Sequence, residues 1–234
     1  MAKWIKNTHC PRCGSKDNLG VWDDGSTHCW GGCGEWSPPK VLQLNRVKSD
    51  IYINVYLPND VIDILPTKAL DWLAKYHLTK EELSVIKPLY SYEKDLLVFP
   101  IYDDQGELLM WQGRYFGDNT NHPKYLTYGA KNVLHIVGVE SDTIVVTEDL
   151  VSAVRVGSVI NAMPLWGSSM PLESIIRLSK RFKYLSIWLD NNKAKESLKT
   201  RIKASPYFDG VLSIVTELDP KCYSVEQIKE ILNV

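Results

Sequence analysis

The chain has 234 residues, 44% of them hydrophobic and 24% charged, with a formal net charge of -1. That composition excludes a disordered or low-complexity polypeptide and is enough for a sizeable core beside one small module. The near-zero charge excludes nucleic-acid binding by bulk charge, so any such role has to rest on a local basic surface.

Met1 to Asn7 lacks the apolar stretch of a signal peptide, and no run approaches the roughly 20 apolar residues of a membrane span. The expected compartment is the cytoplasm, that of a host cell if the protein is viral, with no membrane partner. Cys10 and Cys13 are followed, after fifteen residues, by Cys29 and then Cys33. Two close thiol pairs, with Gly14 beside one and Gly31, Gly32 and Gly34 around the other, have the spacing of a zinc ribbon. The alternative, two disulfides, needs an oxidising compartment for which nothing argues. His28 adjoins Cys29, which keeps a mixed Cys/His ligand set open. Cys222 has no partner in sequence and reads as an unpaired thiol. Ser37-Pro38-Pro39-Lys40 breaks regular structure, and the polar run that follows reads as a linker. The metal module is therefore placed at 1–40 and the linker at 41–52.

Between Pro66 and Tyr76, Leu70, Trp72, Leu73 and Tyr76 fall at helical spacing. Thr79 then caps a second short helix that has Glu81 and Glu82 in its first turn. Leu96 to Tyr102 and Glu107 to Phe116, joined by Asp103-Asp104-Gln105-Gly106, read as a hairpin. From Val137 the pattern changes to strands over 143–147, 159–163, 184–189 and 210–215. They alternate with helices over 150–156, over 172–181 and from Ala194 on, and a final helix over 225–232 is capped by Ser224. Such alternation predicts an α/β fold with a mostly parallel sheet flanked by helices.

In a sheet of this kind the chemistry sits at the carboxyl ends of the strands. Those ends carry acids here: Glu148 and Asp149, then Asp190, then Glu217 and Asp219. Acids after strands often do no more than cap the next helix. Their recurrence at three strand ends favours a site for a hard cation such as Mg, which takes one or two carboxylates plus water and phosphate oxygens.

These residues together resemble the zinc-ribbon primases of bacteriophages, relatives of the bacterial replicative primases, whose catalytic core is a TOPRIM fold. The resemblance spans nearly the whole chain. It rests on Cys10-Pro11-Arg12-Cys13-Gly14, on Asp24 to Cys29, and on the basic stretch Gly113 to Asp118 with Pro123 to Leu126. Val146 to Val154 is similar to the glutamate motif, Leu189 to Ala194 to the paired-aspartate motif, and Asp219-Pro220-Lys221 to the downstream acidic motif. It implies a ribbon that binds template, a small α+β subdomain over 53–136 and a TOPRIM domain over 137–234. No helicase nucleotide-binding loop is present, so a free-standing primase is expected.

The resemblance implies synthesis of short RNA primers from ribonucleoside triphosphates on single-stranded DNA during phage replication, with a helicase and a DNA polymerase as partners in trans. Catalysis would fall to Glu148, as base or second-metal ligand, and Asp190, as the main ligand of Mg or Mn, helped by Asp149, Asn192 and Asp219. Arg114, Lys124 and Lys131 would contact triphosphate or template. Trp22, His28 and Trp30 would offer stacking surfaces to unpaired bases, and Trp36 would serve the ribbon's own core. The sequence departs from the family at Leu150 and Ser152, where further acids are usual, and at Asn192, an amide in place of a carboxylate. One Mg site is better supported than two. The competing expectation is a TOPRIM replication-accessory protein, weakened in catalysis, that binds single-stranded DNA. A nuclease would need the missing acids still more, and a topoisomerase would need a further domain to house its strand-cleaving tyrosine.

Overall fold

The computed structural model describes residues 3–10, 13–23, 26–31, 34–35, 55–129 and 133–234. The expected linker and the residues Asp24, Cys33, Trp36 and Lys131 lie outside the described residues. The chain divides into two compact units, Met1–Tyr52 and Ile53–Val234.

The first unit is an antiparallel sheet of β1 (Trp4–Thr8), β2 (Leu19–Trp22), β3 (Thr27–Cys29) and β4 (Gly34–Glu35), in that order. Leu19 lies opposite Cys29 and Gly20 opposite His28. Because side chains alternate along a strand, the sheet has two different faces. Cys29 and Leu19 bury with Cys10 on one, while Trp22, His28 and Trp30 share the other.

The second unit opens with β5 (Val61–Ile62), α1 (Thr67–Ala74), α2 (Lys80–Ile86) and β6 (Leu89–Ser91). Thr79 accepts from the Glu82 amide and Glu82 reaches back to the Thr79 amide, the capping box that the sequence signals. The hairpin of β7 (Leu96–Tyr102) and β8 (Leu108–Tyr115) follows, then β9 (Tyr125–Gly129), completing an antiparallel sheet in the order β5-β6-β7-β8-β9.

From residue 143 the chain builds a parallel sheet of β10 (Thr143–Thr147), β11 (Ala162–Pro164), β12 (Tyr184–Ile187) and β13 (Gly210–Ser213). Its helices are α3 (Leu150–Gly157), α4 (Leu172–Ser179), α5 (Ala194–Ala204) and α6 (Val225–Leu232). The order is β11-β10-β12-β13. The expected strand at 159–163 begins later than the sequence suggests. Val159 and Ile160 donate back to the Val156 carbonyl and bury from a turn, and an apolar run cannot by itself tell a strand from such a turn.

All eight residues of α3 are buried. Leu150, Val151 and Val154 pack with α1, α2 and the antiparallel sheet, while Ala153 and Val156 pack against the parallel sheet and α6. A helix covered on every side has to be apolar all round, and α3 is so except at Ser152 and Arg155. Entry into β10 depends on Gly138, at φ +117, where a Cβ would stand 2.4 Å from the Ile160 carbonyl oxygen and 2.8 Å from Gly157 Cα. No side chain fits where these two backbones cross.

Candidate active site and metal centre

The strand order reverses between β10 and β12, because the chain leaves β10 toward β11 and returns past it to β12. In open α/β sheets the crevice beyond the carboxyl ends at this reversal is where ligands bind. Glu148 and Asp149 follow β10, Asp190 closes the segment after β12, and Asp219 precedes the 3-10 turn Pro220–Cys222. All four carboxylates line one cleft of about 310 Å³. Its other wall comes from the antiparallel sheet and α1, with Gln112 and Arg114 on β8, Lys124, Tyr125 and Thr127 at β9, and Trp72 and Tyr76.

Each acid has a different environment. Glu148 Oε2 and Asp190 Oδ1 are buried with no hydrogen-bond partner. Burial raises both pKa values: that of Glu148 lies above the usual carboxylate range, and that of Asp190 is pushed up to about 7 against the pull of Lys221, with the Asp219, Asp149 and Glu148 charges adding to the rise. Asp149 caps α3, accepting from the Ser152 amide at 3.0 Å and its hydroxyl at 3.2 Å, and pairs with Lys221 Nζ at 2.7 Å. The capping reading of a strand-end acid thus applies to Asp149 in full. Asn192 lies in the exposed 3-10 turn Asn191–Lys193 and does not line the cleft.

Arg114 is held in advance of any ligand. Its guanidinium donates to the Tyr125 hydroxyl at 2.9 Å and lies 4.7 Å from the Trp72 ring centroid and 5.3 Å from that of Phe116, with Nε buried and unpartnered. Lys124 is exposed at the mouth. Sequence reasoning missed Lys221, Tyr76, Tyr125 and Trp166 as lining residues. Trp166 is buried at φ +55, a backbone region that costs a bulky residue about 1–3 kcal/mol. That strain, like the side chains gathered from β8 and β9, has no signature in a linear pattern.

Two orphaned, buried carboxylate oxygens with acids and a lysine close by would suit one divalent cation, and Glu148 and Asp190 are the residues that would hold it. Both acids must lose their protons to bind it. The affinity for Mn is therefore expected to rise with pH, about tenfold per unit where Glu148 is ionised and Asp190 is not and more steeply where both are protonated, and to level off above about pH 7, where Asp190 ionises. Titrations followed by the EPR signal of free Mn between about pH 5 and 9 measure this; a flat profile would contradict it.

In the first unit, ligand atoms of Cys10, Cys13 and Cys29 lie within 4.8 Å of one another. The Cys13 and Cys29 sulfurs are 3.6 Å apart, far beyond a disulfide and close to the ~3.8 Å edge of a tetrahedron with Zn–S bonds of ~2.3 Å. The turn that carries the first pair is fixed by Gly14 N–H donating to the Cys10 carbonyl, at 2.9 Å. The thiol cluster fits zinc. His28 is outside it, its ring 4.2 Å from that of Trp30, on the sheet face where the Trp22 ring lies over Gly20. The three aromatic residues marked out for stacking are therefore brought together, on the face turned away from the thiols.

No protein-family model and no curated protein matches the chain. Among solved structures, the primase fragment of the bacteriophage T7 primase-helicase aligns over 99% of this chain and 98% of its own, at 14% identity and a TM-score of 0.53. The zinc-binding and RNA polymerase domains of the Aquifex aeolicus primase align over 99% and 80%, at 14% identity and a TM-score of 0.59. A DnaG primase catalytic domain, solved bound to single-stranded DNA, aligns over 71% of each chain at 17% identity and a TM-score of 0.55. The likeness establishes the fold: the parallel sheet with its helices, the antiparallel sheet before it and the cysteine-bearing ribbon form the architecture of the primases.

Proposed function

We propose that this chain is a DNA primase of the phage type, making short RNA primers from ribonucleoside triphosphates on single-stranded DNA. The observation that carries the reading is the cleft itself, where Glu148 and Asp190, each with an orphaned oxygen, line the same space of about 310 Å³ as Arg114 and Lys124. A metal-binding carboxylate pair with cations in the same cleft is what transfer of a nucleotidyl group requires. A bound Mg or Mn would polarise the α-phosphate and favour ionisation of the attacking 3'-hydroxyl. Arg114, braced by its aromatic neighbours and Tyr125, holds a phosphate without reordering. Lys124 neutralises a further phosphate of the triphosphate or the template. In the ribbon, Trp22, His28 and Trp30 stack on unpaired template bases, each stack contributing about 1–3 kcal/mol.

The fold shared with a primase domain bound to single-stranded DNA supports this assignment. A replicative helicase and a DNA polymerase, acting in trans, are the proposed partners. The test is incorporation of labelled ribonucleotides by the zinc-loaded chain on mixed-sequence single-stranded DNA with Mg or Mn. Discrete short oligoribonucleotides are expected. DNA binding without product, even with helicase added, would assign the chain instead to accessory DNA binding.

A further inference from the structure

Lys221 sits among the acids of the cleft, yet metal binding by those acids gives it no task. Its side chain is 8% exposed, and its ammonium lies 2.7 Å from Asp149 Oδ2 and 3.2 Å from Asp219 Oδ2. An ammonium this buried is tolerated only where carboxylates compensate for lost water. Burial opposes its charge, but Asp149, by charge and hydrogen bond, with Asp190 and Asp219 behind it, outweighs burial and holds the lysine firmly protonated. Its place is fixed from both sides. The 3-10 turn that carries it is closed by Cys222 N–H donating to the Asp219 carbonyl at 2.9 Å, and the Tyr76 ring centroid stands 5.8 Å from the ammonium. Asp149, on the other side, is pinned by the cap of α3.

We infer that Lys221 is a built-in cation standing where a second divalent ion would otherwise bind, so that the cleft takes one divalent cation, on Glu148 and Asp190. Of the four carboxylates in the cleft, Asp149 and Asp219 already face the ammonium, and the other two carry the unpartnered oxygens. A divalent ion between Asp149 and Asp219 would have to expel a charge that the backbone holds in place. An ammonium has three N–H donors. With one N–H donated to Asp149 and Asp219 held at ion-pair distance, a further N–H is left to meet a phosphate oxygen of the nucleotide. That last step rests on the nucleotidyl-transfer reading; the count of ions does not.

The experiment is Mn binding to the full zinc-loaded chain, read from the EPR signal of free Mn. One ion is expected for the wild type, lost in Asp190→Asn and kept in Asp149→Asn. Lys221→Met, which leaves Asp149 and Asp219 unopposed, is expected to bind two. Asp149→Asn/Lys221→Met removes the charge and its partner together and returns the count to one. Two ions in the wild type, or one in a folded Lys221→Met, would overturn the inference. If Lys221→Met does not fold, the wild type and Asp149→Asn still decide, since a second ion that disappears with Asp149 contradicts it. A chain that makes no primers but shows these counts overturns the proposed activity alone. Primers made by a wild type that binds two ions do the reverse.

Discussion

Glu148→Gln and Asp190→Asn are each expected to lower primer synthesis by on the order of 10³-fold while leaving the fold intact. Each substitution keeps the shape of the side chain and removes the charge that would bind the cation. Because burial raises both acids' pKa values, the folded chain without metal holds these charges at a cost. For Asp190 the sign follows from a folded pKa of about 7 against 3.8 unfolded. The protonated form favours folding, and that contribution is lost as pH rises toward and through 7. Metal-free Asp190→Asn is therefore expected to melt higher than the wild type at pH 8, with the gap closing by about pH 4. A variant that lost activity by unfolding would melt lower. Loss of primers together with a raised melting temperature is the pair of results that assigns Asp190 to the metal, and retention of activity in either variant would remove that residue from the site.

Arg155→Met is expected to destabilise the second unit by about 3–5 kcal/mol. Arg155 is buried on α3, and its Nε lies 2.8 Å from Glu82 Oε1, at ion-pair distance though off the line of a hydrogen bond. Its terminal nitrogens donate to the carbonyls of Tyr76 at 2.7 Å, His77 at 2.9 Å and Tyr223 at 3.3 Å. Glu82 in turn accepts from the Thr79 amide and the Ser158 hydroxyl. Removing the guanidinium strands a buried carboxylate and takes donors from three carbonyls, which is why the loss exceeds that of an ordinary truncation. Arg155→Met/Glu82→Gln removes both charges and is expected to recover part of the stability. Urea unfolding of the three proteins measures this; equal midpoints for wild type and Arg155→Met would show that the network contributes nothing.

The acids of the cleft were legible because they end apolar strands, and the ends of parallel strands meet at one edge whatever the details of packing. Thr79 and Ser224 were legible as caps because a capping box is written within four residues. Lys221 and Arg155 were not. Lys221 finds Asp149 across 72 residues, and Arg155 finds the Tyr76 carbonyl across 79. In a linear reading the first is a polar residue in a turn and the second an irregular position in an apolar helix. β9 was hidden for a related reason. Tyr125 to Gly129 has one strongly apolar residue, Leu126, and becomes a strand because β8 offers it an open edge. Asn192 was placed in the site by the resemblance of Leu189 to Ala194 to the paired-aspartate motif; it lies on the 3-10 turn Asn191–Lys193 and not on the lining of the cleft.

The order β11-β10-β12-β13 also bears on how the chain reaches its fold. The strand made first ends up inside the sheet, and its neighbour β12 emerges some forty residues later, from Tyr184 against Thr143. The β7–β8 hairpin closes locally, whereas the parallel ladder must first bring distant segments together, a search that slows folding. Protection from pulsed hydrogen exchange is accordingly expected in 96–115 before 143–147. Until Lys221 arrives, a growing chain holds Glu148, Asp149 and Asp190 without the ammonium that pairs with Asp149, so the assembly of the cleft waits for the segment that carries it.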